Sequence, residues 1–233
     1  MYRQEFEELS ETSVPADLES TLEREQLALS LKRSIDIVGA LVFFTLFLPL
    51  FLAVCAGVKL TSRGPIFYVQ YRVGRGGRLF RFYKFRSMVV DADAALARFL
   101  DSDQQAMKQW SQFQKLERDP RVTPFGRLIR RTSLDELPQF WNVLKGDMSL
   151  VGPRPCMQQQ ESLYGSSWPF YCAMRPGLTG LWQVSGRNRL TYQQRVQLDV
   201  RYVCSWSLVG DLAILVRTGY AVAHGEGSTE ETR

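Results

Sequence analysis

Lys32-Arg33-Ser34-Ile35-Asp36 is followed by Ile37-Val38-Gly39-Ala40-Leu41-Val42-Phe43-Phe44-Thr45-Leu46-Phe47-Leu48-Pro49-Leu50-Phe51-Leu52-Ala53-Val54-Cys55-Ala56-Gly57-Val58 and then Lys59. The 22 residues from Ile37 to Val58 carry no charge. As one helix they reach about 33 Å, enough to cross a bilayer core of about 30 Å. Pro49 complicates a simple span. It removes a backbone donor, frees the carbonyl of Thr45 and divides the run into arms of about 18 and 14 Å, the reach of a hairpin dipping into one leaflet. Lys32 and Arg33 precede the run and Lys59 and Arg63 follow it. Basic residues mark cytoplasmic flanks, so a re-entrant hairpin with both ends inside fits. A span with its N-terminal end outside fits as well, because the basic excess lies after the run. In both arrangements the body of the chain is cytoplasmic.

Charge divides the sequence at the same place. Residues 1–30 hold eight acidic and two basic side chains, and the remaining residues carry a net charge of +11. An acidic leader on a basic body suits an anionic partner, either a membrane surface or phosphates. The leader is polar and contains Pro15, which reads as a flexible tail with room for a short helix. The apolar run begins too far behind it for a secretory signal. Cys55, Cys156, Cys172 and Cys204 are scattered, which argues for a reducing compartment and against a disulfide framework.

Beyond the run, Lys59 to Val90 contains eight basic residues and no acidic one. Ile66–Arg72 and Arg78–Arg86 are aromatic and β-branched, and Val73-Gly74-Arg75-Gly76-Gly77 between them predicts a hairpin turn. The interleaved basic and aromatic residues could suit nucleic acid. Directly after a membrane segment, a surface facing headgroups or phosphates is favoured. Residues 91–118 have helical periodicity up to Asp119-Pro120. Phe125, Leu128 and Ile129, and then Leu134, Leu137, Trp141 and Leu144, predict short amphipathic helices that lie in the membrane interface or pack on a core. Leu181-Trp182-Gln183-Val184 reads as a short strand, and helices follow over about 191–206 and 208–223.

Catalytic equipment is sparse. The chain has one histidine, His224, no cysteine pair with metal or redox spacing, and no Gly-x-x-x-x-Gly-Lys-Ser/Thr loop. Carboxylates and arginines must carry any chemistry, and they gather in Arg130-Arg131-Thr132-Ser133-Leu134-Asp135-Glu136-Leu137-Pro138-Gln139 and Gly152-Pro153-Arg154-Pro155. Ser133 with Glu136 matches a helix capping box, which would explain the pair without function. If Asp135 lies near the cap instead, Pro138 falls inside the first turn, where no donor is needed. Either way both carboxylates sit at a helix N-terminus, and that end together with Arg130 and Arg131 would favour the ionised form. An ionised Asp can attack phosphorus, a neighbouring Glu can hold Mg²⁺, and arginines can clamp phosphate oxygens.

From Lys32 to Ala223 the sequence resembles the bacterial monotopic phosphoglycosyl transferases, in their small single-domain form. The matching residues are Lys32-Arg33-x-x-Asp36 before a Pro-containing apolar run, Tyr83-Lys84-Phe85-Arg86-Ser87-Met88, Ser133-Leu134-Asp135-Glu136-Leu137, Asn142-Val143-Leu144-Lys145-Gly146-Asp147-Met148-Ser149, Val151-Gly152-Pro153-Arg154-Pro155, Arg175-Pro176-Gly177-Leu178-Thr179-Gly180 and Ser185-Gly186-Arg187-Asn188. The order of so many matches is specific, whereas an Asp-Glu pair alone is not. The resemblance implies that Asp135 attacks the sugar-linked phosphorus of a UDP-sugar, UDP-galactose or UDP-glucose, and releases UMP. Undecaprenyl phosphate then attacks the sugar-phosphoryl aspartate to give a polyprenyl diphosphate sugar, a first step of exopolysaccharide or other surface-glycan assembly. It assigns Glu136 to Mg²⁺ and Arg154 to a phosphate. Arg130, Lys84, Arg86 and Asp199 belong to the charged site, and Arg187 and Asn188 to the nucleotide-sugar or to a structural turn.

The expected fold is therefore α-rich α+β: a re-entrant membrane helix-break-helix with Pro49 at the break, interfacial amphipathic helices and a small β-hairpin. The expected organisation is an acidic leader over 1–30, a membrane-inserted helix over 31–60, a cytoplasmic catalytic domain over 61–223 and a disordered tail over 224–233. The site would face the cytoplasm at the bacterial inner membrane and contact membrane lipid; no nucleic-acid partner is expected, and a homodimer is compatible with the chain. One departure from the family pattern concerns the break: Leu48 precedes Pro49 where the family often has Ser, and Thr45 is the hydroxyl placed to substitute.

Overall fold

The computed structural model describes residues 16–113, 116, 119–186 and 189–224. Helix α1 runs from Ala16 to Thr61 with Pro49 inside it. It starts within the stretch expected to be a flexible leader. The expected helix-break-helix is a single helix, because Pro49 withholds only the one N–H that would reach Thr45 and the bonds on either side persist. Pro49 can bend it without ending it. Thr45 does not supply the substitute: its hydroxyl donates to the Leu41 carbonyl at 2.9 Å.

One stripe of α1 meets the rest of the chain. Lys32, Asp36 and Ala40 are buried in its first half, Val54 and Val58 in its second, and every residue from Thr45 to Leu50 is exposed. Spacings of four within each half keep these contacts on one helical face. The charged residues before the apolar run act as a clasp. Lys32 Nζ donates to the carbonyl of Val151 at 3.0 Å and pairs with Asp211. Arg33 donates to the carbonyls of Val143 and Leu144. Asp36 accepts from the hydroxyl of Ser149 and the N–H of Leu150, both at 2.9 Å.

The predicted hairpin forms, with β1 Phe67–Val73 antiparallel to β2 Leu79–Phe85. Gly76 and Gly77 both take positive φ in the turn, where side chains are strained. The register sets Tyr68 opposite Lys84, Gln70 opposite Phe82 and Arg72 opposite Phe80, so these six residues share one face. The helix expected over 91–118 is instead two, α2 Ala92–Ser102 and α3 Gln104–Phe113. Asp103 is extended between them, and its carboxylate accepts from the N–H groups of Gln105 and Ala106 to start the second.

Helix α4, Pro124–Arg131, is capped by the Thr123 hydroxyl and buries Ile129. Its neighbour Phe125 fills the space over Gly57 of α1. The amphipathic segment thus packs on protein while leaving Leu128 exposed. Helix α5, Gln139–Lys145, stacks Phe140 on Phe43 with ring centroids 3.6 Å apart. Strand β3, Ser149–Val151, pairs in parallel with β4, Gly177–Thr179, after the helical turns α6 Glu161–Tyr164 and α7 Trp168–Ala173. Residues 182–184, expected as a strand, form a 3-10 turn; the strand is the adjacent Gly177–Thr179, which has a partner. Helices α8, Tyr192–Cys204, and α9, Leu208–Ala223, complete the α-rich α+β body.

Candidate active site

Asp135 and Glu136 lie in a 3-10 turn, Leu134–Glu136, ahead of α5. Leu134 and Leu137 press this turn into an apolar cluster with Val54, Val58 and Phe85, so the carboxylates are carried against the second half of α1. Ser133 enters the turn with φ 56° and makes no side-chain capping bond. The capping box is absent, because a left-handed residue aims its hydroxyl away from the turn's N–H groups. Left-handed backbone at a non-glycine residue costs energy and gathers at functional sites.

Strand β2 brings Lys84 over the pair. Its ammonium lies 2.7 Å from Glu136 Oε1 and 3.7 Å from Asp135 Oδ2. Asn142 fixes this approach: its amide donates to the carbonyl of Arg81 at 2.6 Å and accepts from the N–H of Tyr83 at 3.2 Å. Helix α5 is thereby tied to the edge of β2, and a completely buried Asn finds both backbone partners it needs.

The two carboxylates titrate apart. Burial pushes Asp135 up to about 6, against the pull of Lys84 and Arg130 and with the push of Glu136. The expectation that helix end and arginines would dominate gives way here, because the residue is 8% exposed and desolvation outweighs them. Burial also raises Glu136, but the charge and hydrogen bond of Lys84, the charge of Arg154 and the nearby Gln139 outweigh it and hold the carboxyl below its ordinary range. At neutral pH both are mainly ionised, and Asp135 is the more basic.

A polar cleft opens beside Glu136, lined by Lys84, Arg72, Phe82, Gln139, Arg154 and Gln183 among others. Arg154 is exposed on the loop after β3, 5.4 Å above the Trp182 ring. The loop is positioned by close backbone contact: a Cβ on Gly152 would meet the Arg175 carbonyl at 2.3 Å, and one on Gly177 the Gly152 nitrogen at 2.1 Å. That contact requires glycine at both positions.

The structure brings Asp135, Glu136, Lys84 and Arg154 together. Arg130 is close enough to lower Asp135 and is steadied by its Nε donating to the Ser87 hydroxyl at 2.7 Å. Arg86 is not brought to the cleft. The strand ends at Phe85, and Arg86 turns to the end of α1, donating to the carbonyl and hydroxyl of Ser62. Asp199 stands behind the Arg154 loop, buried, accepting from the Tyr164 hydroxyl at 2.7 Å. Burial raises it to about 7, against the Tyr164 bond and the backbone and charge of Arg154. Arg187 and Asn188 lie outside the described residues. Sequence reasoning missed Arg72, Gln139 and Asn142; counting outward from the glycine turn would have placed Arg72 on the face of Lys84.

Among the described residues no three His, Cys, Asp or Glu side chains gather as a metal cage. Glu136 nevertheless fits Mg²⁺: it is a hard oxygen donor, 42% exposed, with Asp135 beside it. Mg²⁺ commonly takes one or two carboxylates and completes its shell with water and substrate phosphate.

A family described as bacterial sugar transferase matches residues 27–225. The chain is 46% identical over 197 residues to the exopolysaccharide production protein ExoY of Rhizobium meliloti (strain 1021), an alignment covering 84% of this chain and 87% of that protein. It is 48% identical over 198 residues to the UDP-galactose-lipid carrier transferase of Erwinia amylovora, covering 85% of this chain and 41% of that one. The UDP-glucose:undecaprenyl-phosphate glucose-1-phosphate transferase of Caulobacter vibrioides is 40% identical over 195 residues, with 80% and 67% covered. The chain belongs to the bacterial sugar transferase family, and it is an enzyme of the phosphoglycosyl transferase class.

Proposed function

We propose that the protein transfers a sugar-1-phosphate, galactose- or glucose-1-phosphate, from its UDP-sugar to undecaprenyl phosphate at the cytoplasmic face of the inner membrane. The observation that carries this reading is the ionisable pair on an uncapped, strained turn, bridged by Lys84 and seated on the apolar helix. Relatives named for galactose transfer and, at lower identity, for glucose transfer support these two sugars.

Asp135, the more basic carboxylate, attacks the sugar-bearing phosphorus, and the bond to the UMP oxygen breaks. Lys84 holds the ionised dyad in place, and Arg130 and Arg154 offset charge on the phosphate oxygens. An oxygen of the lipid phosphate then attacks the same phosphorus and regenerates the Asp135 carboxylate. Glu136, with Asp135, would hold Mg²⁺, which neutralises phosphate charge when bound. Both ends of the apolar run rest on one domain, which supports a re-entrant rather than a spanning α1. A site at headgroup height lets a soluble donor and a lipid acceptor meet without lifting the lipid out.

Incubation with labelled UDP-sugar and no acceptor should leave label on the wild-type protein and none on Asp135→Asn. Full UMP release by Asp135→Asn would overturn the covalent reading.

A further inference from the structure

The reaction above also needs a place for the phosphate that is not transferred. In an in-line displacement the attacking and departing oxygens lie on opposite sides of phosphorus. In the first step Asp135 forms its bond and the UMP oxygen leaves with the electron pair. In the second, the lipid phosphate oxygen forms a bond and the Asp135 oxygen leaves. The departing UMP phosphate and the incoming lipid phosphate thus occupy the same side, opposite Asp135.

Two buried donors on the cleft wall complete no hydrogen bond. Arg72 is held by its NH1 donating to the Pro155 carbonyl at 3.2 Å and its NH2 to Gln70 Oε1 at 2.7 Å, yet its buried Nε makes no hydrogen bond. Gln139 is 2% exposed, and its Nε2 completes none either, though the side chain lies near enough to Glu136 to help lower that carboxyl. Buried donors are rarely left unpaired, and each such group costs stability unless a ligand uses it. Arg72 and Arg154 are like charges lining one cleft, and neither is in ion-pair contact with a carboxylate among the described residues. Burial, and then the charge of Arg154, lowers the Arg72 pKa. A phosphate between the two guanidinium groups would relieve the repulsion and take the spare donors.

We infer that Arg72 and Gln139, with Arg154, form a single phosphate subsite used twice, by the departing nucleoside phosphate and then by the attacking lipid phosphate. This rests on the double-displacement reading above. Phosphate monoesters of either source fit the chemistry, and the two arms of the test separate them.

The test uses the full-length protein with Arg72→Gln, Gln139→Met and Arg72→Lys. It reads the inhibition constant for UMP, the KM for polyprenol phosphate, kcat and the melting temperature. Arg72→Gln should raise the UMP constant and the polyprenol phosphate KM together, by about tenfold or more. Gln139→Met should raise both by less, and Arg72→Lys should recover part of the loss. A rise in only one constant overturns shared use, and a rise in neither overturns the subsite. A purely structural role would lower kcat and the melting temperature without moving the two constants in step. Should Arg72→Gln fail to fold, Gln139→Met decides by the same two constants. Failure of the double-displacement reading looks different: the wild type itself would take up no sugar-phosphate label without acceptor and would release UMP only once polyprenol phosphate is added.

Discussion

Asp135 sets the pH response. With its carboxyl raised to about 6, the ionised nucleophile prevails above that value and its protonated form below. The rate constant kcat/KM should fall about tenfold per unit as pH drops below 6. Lys84 lowers that carboxyl, so Lys84→Met should move the acid limb to higher pH while reducing the maximum. The same shift bears on stability with the opposite sign. The folded pKa lies above the ordinary value of 3.8, so the ionised side chain destabilises the fold above that range and the penalty fades as pH falls through 6. Asp135→Asn should therefore abolish turnover and raise the melting temperature at pH 7.5. Ser133 belongs to the same economy: Ser133→Gly should stabilise by up to about 1 kcal/mol, because glycine accepts φ 56° freely.

Among the elements, the junction of β2 and α5 matters most to the site. Asn142→Ala leaves the Arg81 carbonyl and Tyr83 N–H without partners and should cost about 2 kcal/mol or more, read from denaturant unfolding. Activity should fall further than stability predicts, because Lys84 loses its register over the dyad. The hairpin was readable in the sequence, since Gly74, Gly76 and Gly77 punctuate two aromatic strands and turn chemistry is local. The roles of Asn142 and Gln139 were not, because each depends on a meeting across dozens of residues that no spacing encodes. Ser133 misled for a related reason: Ser-x-x-Glu describes a box, and only the backbone angle reveals that the box is open. Asp103 gave no periodic signal, although a residue that caps one helix by ending another is a local device.

For the whole molecule, the decisive relation is between α1 and the body. A cysteine at exposed position 26, in a background lacking the native thiols, should be shielded from an impermeant reagent in intact cells and react after lysis. Labelling before lysis would mean that the helix crosses the bilayer. The contacts of Lys32 and Asp36 carry a consequence for handling the enzyme. They grip β3, the strand that leads straight into Arg154, through hydrogen bonds that require no lipid. Stripping the bilayer away with detergent should cost this protein its mooring but not its posture, and a micelle should suffice to keep the phosphate-reading loop in trim.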